Sequence, residues 1–420
     1  MARAEGWASD PLADRRIVLG VTGSIAAYKA LSIASALVQA GAAVDAVLTK
    51  AAAELVRPLA FRALTHRAVA ADLWDPNGPL GMDHVALARG ADALLIAPAT
   101  ADVLARLALG LADDALTATA LAARAPMLVA PAMEPRMWSH PATREHVAAL
   151  HARGTYFIGP MEGRMASGEH GLGRMAEPEA VVEHLRLVLS RGGPLAGRRI
   201  VIAAGPTREA IDPVRYLSNH SSGRMGMALA RLARDRGADV TLVLGPVDHA
   251  LPAGIERIDV TTAAEMQAAV LDAVAGADVL VMAAAVADFR PTRPDDAKIK
   301  KRGARALVLT LAPTEDILGA VDARWPPGTA RPLLVGFAAE TDDLVGNARA
   351  KLIGKRLDLV VANPVPETFG SDASAATLVT ADGDTPLPRG AKRDVAAAIL
   401  AYVFERMADR PIAASAEHHP

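Results

Sequence analysis

Two sets of lysines stand late in this 420-residue chain. Lys298 and Lys301 bound the run Lys298-Ile-Lys-Lys301, while Lys351 and Lys355 are four apart, on one face if the segment is helical. An isolated Lys-Ile-Lys-Lys reads as a solvated surface run. Here it follows Ala283-Ala-Ala-Val-Ala-Asp288, and glycine- and hydroxyl-rich stretches precede both: Ala204-Gly-Pro-Thr-Arg-Glu209, Asp212-Pro-Val-Arg-Tyr216 and Ser218-Asn-His-Ser-Ser-Gly-Arg-Met-Gly226. Such loops ahead of a helix bring phosphate against backbone N–H groups. Lysines converging on one crevice repel one another unless a polyanion lies between them. A nucleoside triphosphate is the natural candidate.

A second set of motifs lies in the first half. Gly20-Val-Thr-Gly-Ser24 offers a small residue and a hydroxyl where a helix exposes unpaired N–H groups. It reads equally as a phosphate cradle or as a serine helix cap, and it lacks the spacing of the dinucleotide fingerprint. Four further segments follow: Met82-Asp-His84, Pro98-Ala-Thr-Ala-Asp102, Pro131-Ala-Met-Glu-Pro-Arg-Met-Trp138 and Ala166-Ser-Gly-Glu-His-Gly-Leu-Gly-Arg-Met175. His84 alone decides little, because a lone histidine is usually structural. The chain has no cysteine, which excludes disulfides, zinc–thiolate sites and thiol catalysis from within the subunit.

The elements that must hold these residues repeat one plan. Arg16–Val21 is an apolar strand, Ile25 to about Ala40 a helix stopped by Gly41, and Val44–Leu48 the next strand. The segments from Gly90 to Pro98 and from Pro126 to Pro131 each carry another buried strand. The second half restarts with Arg199–Gly205, a helix from about Arg224 to Arg236, then Val240–Leu244, the segment Gly276–Ala285 and Leu357–Ala362. Strand, glycine turn, helix, strand is the unit of a parallel sheet. The fold class expected is α/β, two doubly wound Rossmann-like domains with mostly parallel sheets, spanning 12–190 and 197–408 across the Gly/Pro-rich link Arg191–Gly197. In such sheets ligands sit beyond the carboxyl ends of the strands, where the unusual residues concentrate.

Composition sets the outer limits. Lys plus Arg number 45 and Asp plus Glu 47, a formal charge of −2, which argues against a general nucleic-acid partner. Hydrophobic residues make up 51% and charged ones 22%, as in ordinary globular proteins. With aromatics at 3%, the core must be mainly aliphatic. No apolar run approaches the roughly 20 residues that cross a bilayer, and the first residues carry acids where a secretory leader needs an apolar stretch. No membrane partner and a cytoplasmic location are expected.

Taken in order, the motifs of the first half resemble the flavin-dependent cysteine decarboxylases. Those of the second closely resemble the ligase half of the bifunctional phosphopantothenoylcysteine decarboxylase/phosphopantothenate–cysteine ligases of coenzyme A synthesis. The resemblance covers nearly the whole chain. It implies an FMN cofactor held by Gly23, Ser24, Thr49, Pro98, Thr100, Asp102, Met133 and Glu134. It also implies oxidation at the thiol-bearing carbon of the substrate, loss of carbon dioxide and return of the electrons to the enethiol, with His84 acting in the decarboxylation. Three positions depart from the family pattern: Asp102 and Glu134 stand where asparagines are expected, and Ser167 where a cysteine protonates the enethiol. An ionised carboxylate only accepts hydrogen bonds, and a hydroxyl is a far weaker acid than a thiol of pKa about 8.5. Either carboxyl could also be held protonated in an apolar pocket.

For the second half the resemblance implies attack of the 4′-phosphopantothenate carboxylate on the α-phosphate of CTP. Pyrophosphate leaves, and the cysteine amine then displaces CMP from the acyl-cytidylate. Asn219 would orient that intermediate, Lys298 would neutralise the growing phosphate charge, and Ala284, Asp288, Lys301, Phe337, Lys351 and Lys355 would bind CTP. Mg2+ is expected on the phosphate oxygens, with no protein ligands assigned. The partners implied are the small-molecule substrates and further copies of the chain, trimeric through the flavin half and dimeric through the ligase half. Two alternatives stay open: a ligase whose flavin domain is degenerate and kept for assembly, and a relative acting on another cysteine derivative. A nicotinamide reductase is disfavoured for want of a fingerprint, and a non-catalytic flavoprotein scaffold fits the first half alone.

Overall fold

The computed structural model describes residues 6–73, 84–248, 251–301, 306–364 and 373–407. The chain divides into two compact units, Asp10–Ser190 and Arg191–Pro420, with Gly6–Ser9 grouping with the second.

In the first unit, β1 (Arg16–Val21), β2 (Ala43–Leu48), β3 (Val69–Ala70), β4 (Ala93–Ala99), β5 (Met127–Pro131) and β6 (Tyr156–Phe157) form one sheet in the order β3-β2-β1-β4-β5-β6. Every neighbouring pair is parallel. Such strands are buried on both faces, hence their nearly unbroken apolar sequences. Ile17, Leu19 and Val21 face Ile33, Leu37, Val181 and Leu185, which come from helices Lys29–Gln39 and Pro178–Ser190. Val18 faces Val103, Leu104 and Leu116 on the other side. The first predicted helix opens as a 3-10 turn, Ile25–Tyr28, before becoming α-helical. Beyond the sheet, β7 (Met161–Arg164) and β8 (His170–Arg174) form an antiparallel hairpin that reading for apolar runs did not anticipate.

The second unit carries β9 (Arg199–Ala204), the ribbon β10 (Arg208–Ala210) with β11 (Tyr216–Ser218), then β12 (Asp239–Leu244), β13 (Ile255–Asp259) and β14 (Val279–Met282). A second ribbon, β15 (Phe289–Pro291) with β16 (Leu311–Pro313), precedes β17 (Leu333–Glu340), β18 (Leu359–Pro364), β19 (Ala373–Thr380) and β20 (Gly383–Ala391). The main sheet runs β13-β12-β9-β14-β17-β18-β19-β20. It is parallel up to β18, and β19 and β20 close it antiparallel. Ile200 and Ile202 of β9 pack against Leu229 and Ile399, while Val201 and Ala203 pack against Met266, Val270 and Leu352.

The doubly wound, mostly parallel class is as expected; the antiparallel end is an addition. β20 bears Pro386 and Pro388 and is largely exposed, so its sequence reads as loop. Edge strands tolerate proline because one side of the strand needs no N–H donor. Among the described residues, no helix is long and apolar enough to cross a membrane.

Candidate functional site

Each unit holds a cavity beyond the carboxyl ends of its central strands. That of the first unit, about 640 Å3, is lined by Gly23 and Ser24 after β1, Thr100 after β4, Met133 and Glu134 after β5, and Arg164, Ala166 and Met175 on or beside the hairpin. Thr22 joins two of these loops. Its hydroxyl donates to the Pro98 carbonyl at 2.8 Å and accepts the Thr100 N–H at 3.1 Å. Ser24 and Thr100 cap the helical segments that follow them, each side chain accepting a backbone N–H. The hairpin is stitched to the β5 loop by Met133 N–H donating to the Gly173 carbonyl at 3.0 Å. Gly173 is required there, since a Cβ would stand 2.1 Å from the Met133 carbonyl oxygen.

Other expected residues lie outside the lining. Thr49 is buried as the cap of helix Lys50–Leu55, and Pro98 sits within β4. His84 opens helix His84–Gly90, whereas Met82 and Asp83 of its motif lie outside the described residues. Asp102 turns away to Arg106 at 2.9 Å, and Arg106 is itself held by Asp113 at 2.6 Å. The Asp113 hydrogen bond, with Asp102 behind it, raises the Arg106 pKa. Ser167 is exposed on the hairpin turn, its hydroxyl accepting the Glu169 N–H at 3.4 Å. Glu134 does face the cavity, and it makes no side-chain cap bond.

Sequence reasoning missed Lys29 and the hairpin arginines Arg164 and Arg174, all three on the cavity lining. Lys29 is buried among the lining residues, pairs with Glu177 at 2.9 Å and donates to the Met175 carbonyl at 3.3 Å. The Lys29 hydrogen bond is the chief cause that holds the Glu177 carboxyl below its ordinary range. The signal was present as a lysine in an otherwise apolar helix start, though its partner lies far along the chain.

The cavity of the second unit, about 920 Å3, brings together Asn219, Ala284, Asp288, Phe337, Lys351 and Lys355 of the expected residues. Its loops are sewn by hydroxyls: Ser218 donates to the Thr207 carbonyl at 2.7 Å, Ala287 N–H to Thr207 Oγ1 at 2.9 Å, and Thr314 to the Ala287 carbonyl at 2.5 Å. Asn219 Nδ2 donates to the Val286 carbonyl at 2.8 Å. A smaller adjoining cavity, about 180 Å3, shares Ala284 and Phe337 and is lined by Ser221–Arg224 at the start of helix Arg224–Asp235. That helix packs closely because Gly226 has no Cβ, which would lie 2.2 Å from that of Ala204.

Lys351 sits within helix Leu344–Gly354 and Lys355 follows as its C-cap. Lys351 Nζ donates to the Phe337 carbonyl at 2.6 Å, and Lys355 pairs with Asp316 at 2.7 Å. Burial first, then the charge of Lys355, pushes the Lys351 ammonium below the usual lysine range, while Glu340, Asp316 and Asp288 pull it back. The crevice therefore differs from expectation. Lys298 and Lys301 are exposed and do not line it, and carboxylates already balance the two lysines that do.

The sequence matches the flavoprotein family over residues 7–190 and the DNA/pantothenate metabolism flavoprotein C-terminal domain over 195–407. It is 44% identical to the coenzyme A biosynthesis bifunctional protein CoaBC of Vibrio cholerae over 400 residues, covering 94% of this chain and 99% of that protein. The chain belongs to the CoaBC family. The CoaBC protein of Bacillus subtilis is also 44% identical, with 93% of this chain and 96% of that one covered. Among solved structures, the C-terminal domain of a CoaBC protein is 36% identical and covers 52% of this chain and 100% of its own, with a TM-score of 0.45. As a CoaBC protein the chain is an enzyme of coenzyme A biosynthesis, with a half of the phosphopantothenoylcysteine decarboxylase type and a half of the phosphopantothenate–cysteine ligase type.

Proposed function

We propose that residues 197–408 activate the carboxylate of 4′-phosphopantothenate with CTP and pass it to the amine of cysteine. A carboxylate is a poor acyl donor until a mixed anhydride gives it a leaving group. Attack on the α-phosphate releases pyrophosphate, and the amine then displaces CMP. The observation that carries this reading is that Lys351 and Lys355 line one cavity with Phe337 and Asn219. In it, Lys351, Lys355, Asp288, Ala284 and Phe337 hold the nucleotide, Asn219 orients the acyl-cytidylate, and Lys298 and Lys301, exposed outside the cavity lining, meet the phosphates from beyond it. Lys298 neutralises charge as pyrophosphate departs.

Asp288, Asp316 and Glu340 line the same cavity, so the triphosphate needs a companion cation. In this reading magnesium bridges the phosphate oxygens and accompanies the nucleotide into the cavity. Pure protein given CTP, phosphopantothenate and cysteine should release pyrophosphate and accumulate the amide; release that ignores phosphopantothenate would refute the assignment.

For residues 12–190 we propose an FMN site. The cavity fits the group: Gly23, Ser24 and the capped helix start at Thr100 offer N–H and hydroxyl donors, and Met133, Met137 and Met175 offer apolar walls. Bound there, FMN would supply the two-electron exchange that lets the substrate carboxylate leave. Lys29 fixes the Met175 backbone at the cavity wall. Three observations favour a second reading, in which carbon dioxide loss is slow and this half mainly binds the cofactor and assembles. Asp102 is committed to Arg106, Glu134 puts an acid rather than an amide on the cavity lining, and the Ser167 hydroxyl lies out on an exposed turn. Carbon dioxide release from 4′-phosphopantothenoylcysteine, with the product weighed as thiol or enethiol, separates the readings.

A cytoplasmic homo-oligomer, trimeric through this half and dimeric through the other, completes the proposal on the strength of the family resemblance. Sedimentation of the pure protein would test it.

A further inference from the structure

We infer that Asp212 is a positioning residue for the ligation, its buried carboxylate clamping the segment that carries Lys298 against the loop 211–215. The inference rests on the role proposed above for Lys298.

The Asp212 side chain is wholly out of solvent. Its Oδ1 accepts the N–H groups of Val214 at 2.7 Å and Arg215 at 2.8 Å. Its Oδ2 accepts the Ile299 N–H at 3.2 Å and the Arg215 guanidinium at 3.0 Å. The other arm of that guanidinium donates to the Ile299 carbonyl at 3.1 Å. Ile299 is thus gripped at both its N–H and its carbonyl by one ion pair. A further bond, Asp295 N–H to the Ile211 carbonyl at 2.9 Å, ties the two stretches a few residues upstream.

The two bonds into Oδ1 are what an aspartate does in any tight turn, and they need nothing from elsewhere in the chain. The bond to Ile299 spans 87 residues and serves no turn. It reaches the residue next to Lys298, whose own side chain is exposed. A lysine on a free segment would spread its flexible stem over many positions, whereas a clamped neighbouring peptide fixes where that stem begins. Burial opposes the charge on Asp212, yet the N–H groups of Val214, Ile299 and Arg215 and the Arg215 guanidinium together hold its carboxyl below the ordinary range. The clamp is therefore closed at neutral pH.

The test is a double-variant cycle on the full chain, reading CTP-dependent pyrophosphate release with saturating phosphopantothenate. Lys298→Ala is expected to lower kcat about 100-fold, as loss of a transition-state charge partner does. Asp212→Asn should lower kcat about tenfold or more while moving the KM for CTP less than about threefold. Added to Lys298→Ala, it should cost less than about a further twofold, because its effect runs through Lys298. Full multiplication of the two losses, or wild-type kcat in Asp212→Asn, overturns the inference and leaves Lys298 its role. Wild-type kcat in Lys298→Ala alone removes that role, and the positioning with it. Should Asp212→Asn not fold, Arg215→Met removes the guanidinium that joins Asp212 Oδ2 to the Ile299 carbonyl and leaves the backbone at 298 and 299 unaltered; in the same cycle it should lower kcat alone and add less than about twofold to Lys298→Ala, and full multiplication again overturns the inference.

Discussion

The ammonium of Lys355 lies 2.7 Å from Oδ1 of Asp316, and Asp316 in turn caps helix Ile317–Asp322 through the Gly319 N–H at 3.1 Å. Both side chains are partly exposed, and such pairs stabilise by only about 0–1 kcal/mol. A phosphate can therefore take over the lysine at little cost, and Asp316 keeps the helix cap as its remaining task. Lys355→Ala is expected to raise the KM for CTP about tenfold with a smaller change in kcat. Steady-state pyrophosphate release at varied CTP checks it, and an unchanged KM would remove Lys355 from the nucleotide site.

Lys351 gives the pH dependence a sign. Burial lowers its pKa in the free protein, so it loses its proton at a pH below that of an ordinary lysine. A bound triphosphate favours the charged form and restores the proton. CTP affinity should therefore be full at low and neutral pH and fall as pH rises through the lowered pKa, before an ordinary lysine would titrate near 10.4. Nucleotide titrations across that range, repeated with Lys351→Arg, would read this directly. In the arginine variant the alkaline fall should move to higher pH, because only the remaining lysines then titrate.

In the first unit, thiol chemistry can be put back. Ser167→Cys, combined with Asp102→Asn and Glu134→Asn, supplies a proton donor of pKa about 8.5 and two amides that can donate to a carboxylate. Carbon dioxide release from 4′-phosphopantothenoylcysteine should rise tenfold or more, an order-of-magnitude figure for one general acid. No gain in the triple variant would show that these three departures are not what limits the reaction.

Gly173→Ala tests whether the hairpin closes the first cavity. The new Cβ would meet the Met133 carbonyl oxygen at 2.1 Å, and a backbone atom cannot swing aside. The hairpin must lift from the β5 loop, at a stability cost of about 1–3 kcal/mol. Loss of the yellow absorbance, together with a lowered Tm of the first unit, is the expected outcome. Retained absorbance at wild-type strength would place the cofactor elsewhere.

What the sequence determined by itself were features set within short stretches. The β1, β4, β9 and β14 runs are apolar on both faces and read as buried parallel strands. Gly41 sits at φ +89° where its helix was expected to stop. The four-residue spacing of Lys351 and Lys355 carried both into one cavity.

What only the tertiary structure decided were contacts between stretches far apart in the chain. Lys29 against Glu177, Asp212 against Ile299, and the exclusion of Lys298 and Lys301 from the cavity wall all depend on which loops the sheet order brings together. The physical reason is that apolar patterning measures how much surface a segment must bury, whereas a polar side chain finds its partner only after the strands have taken their places.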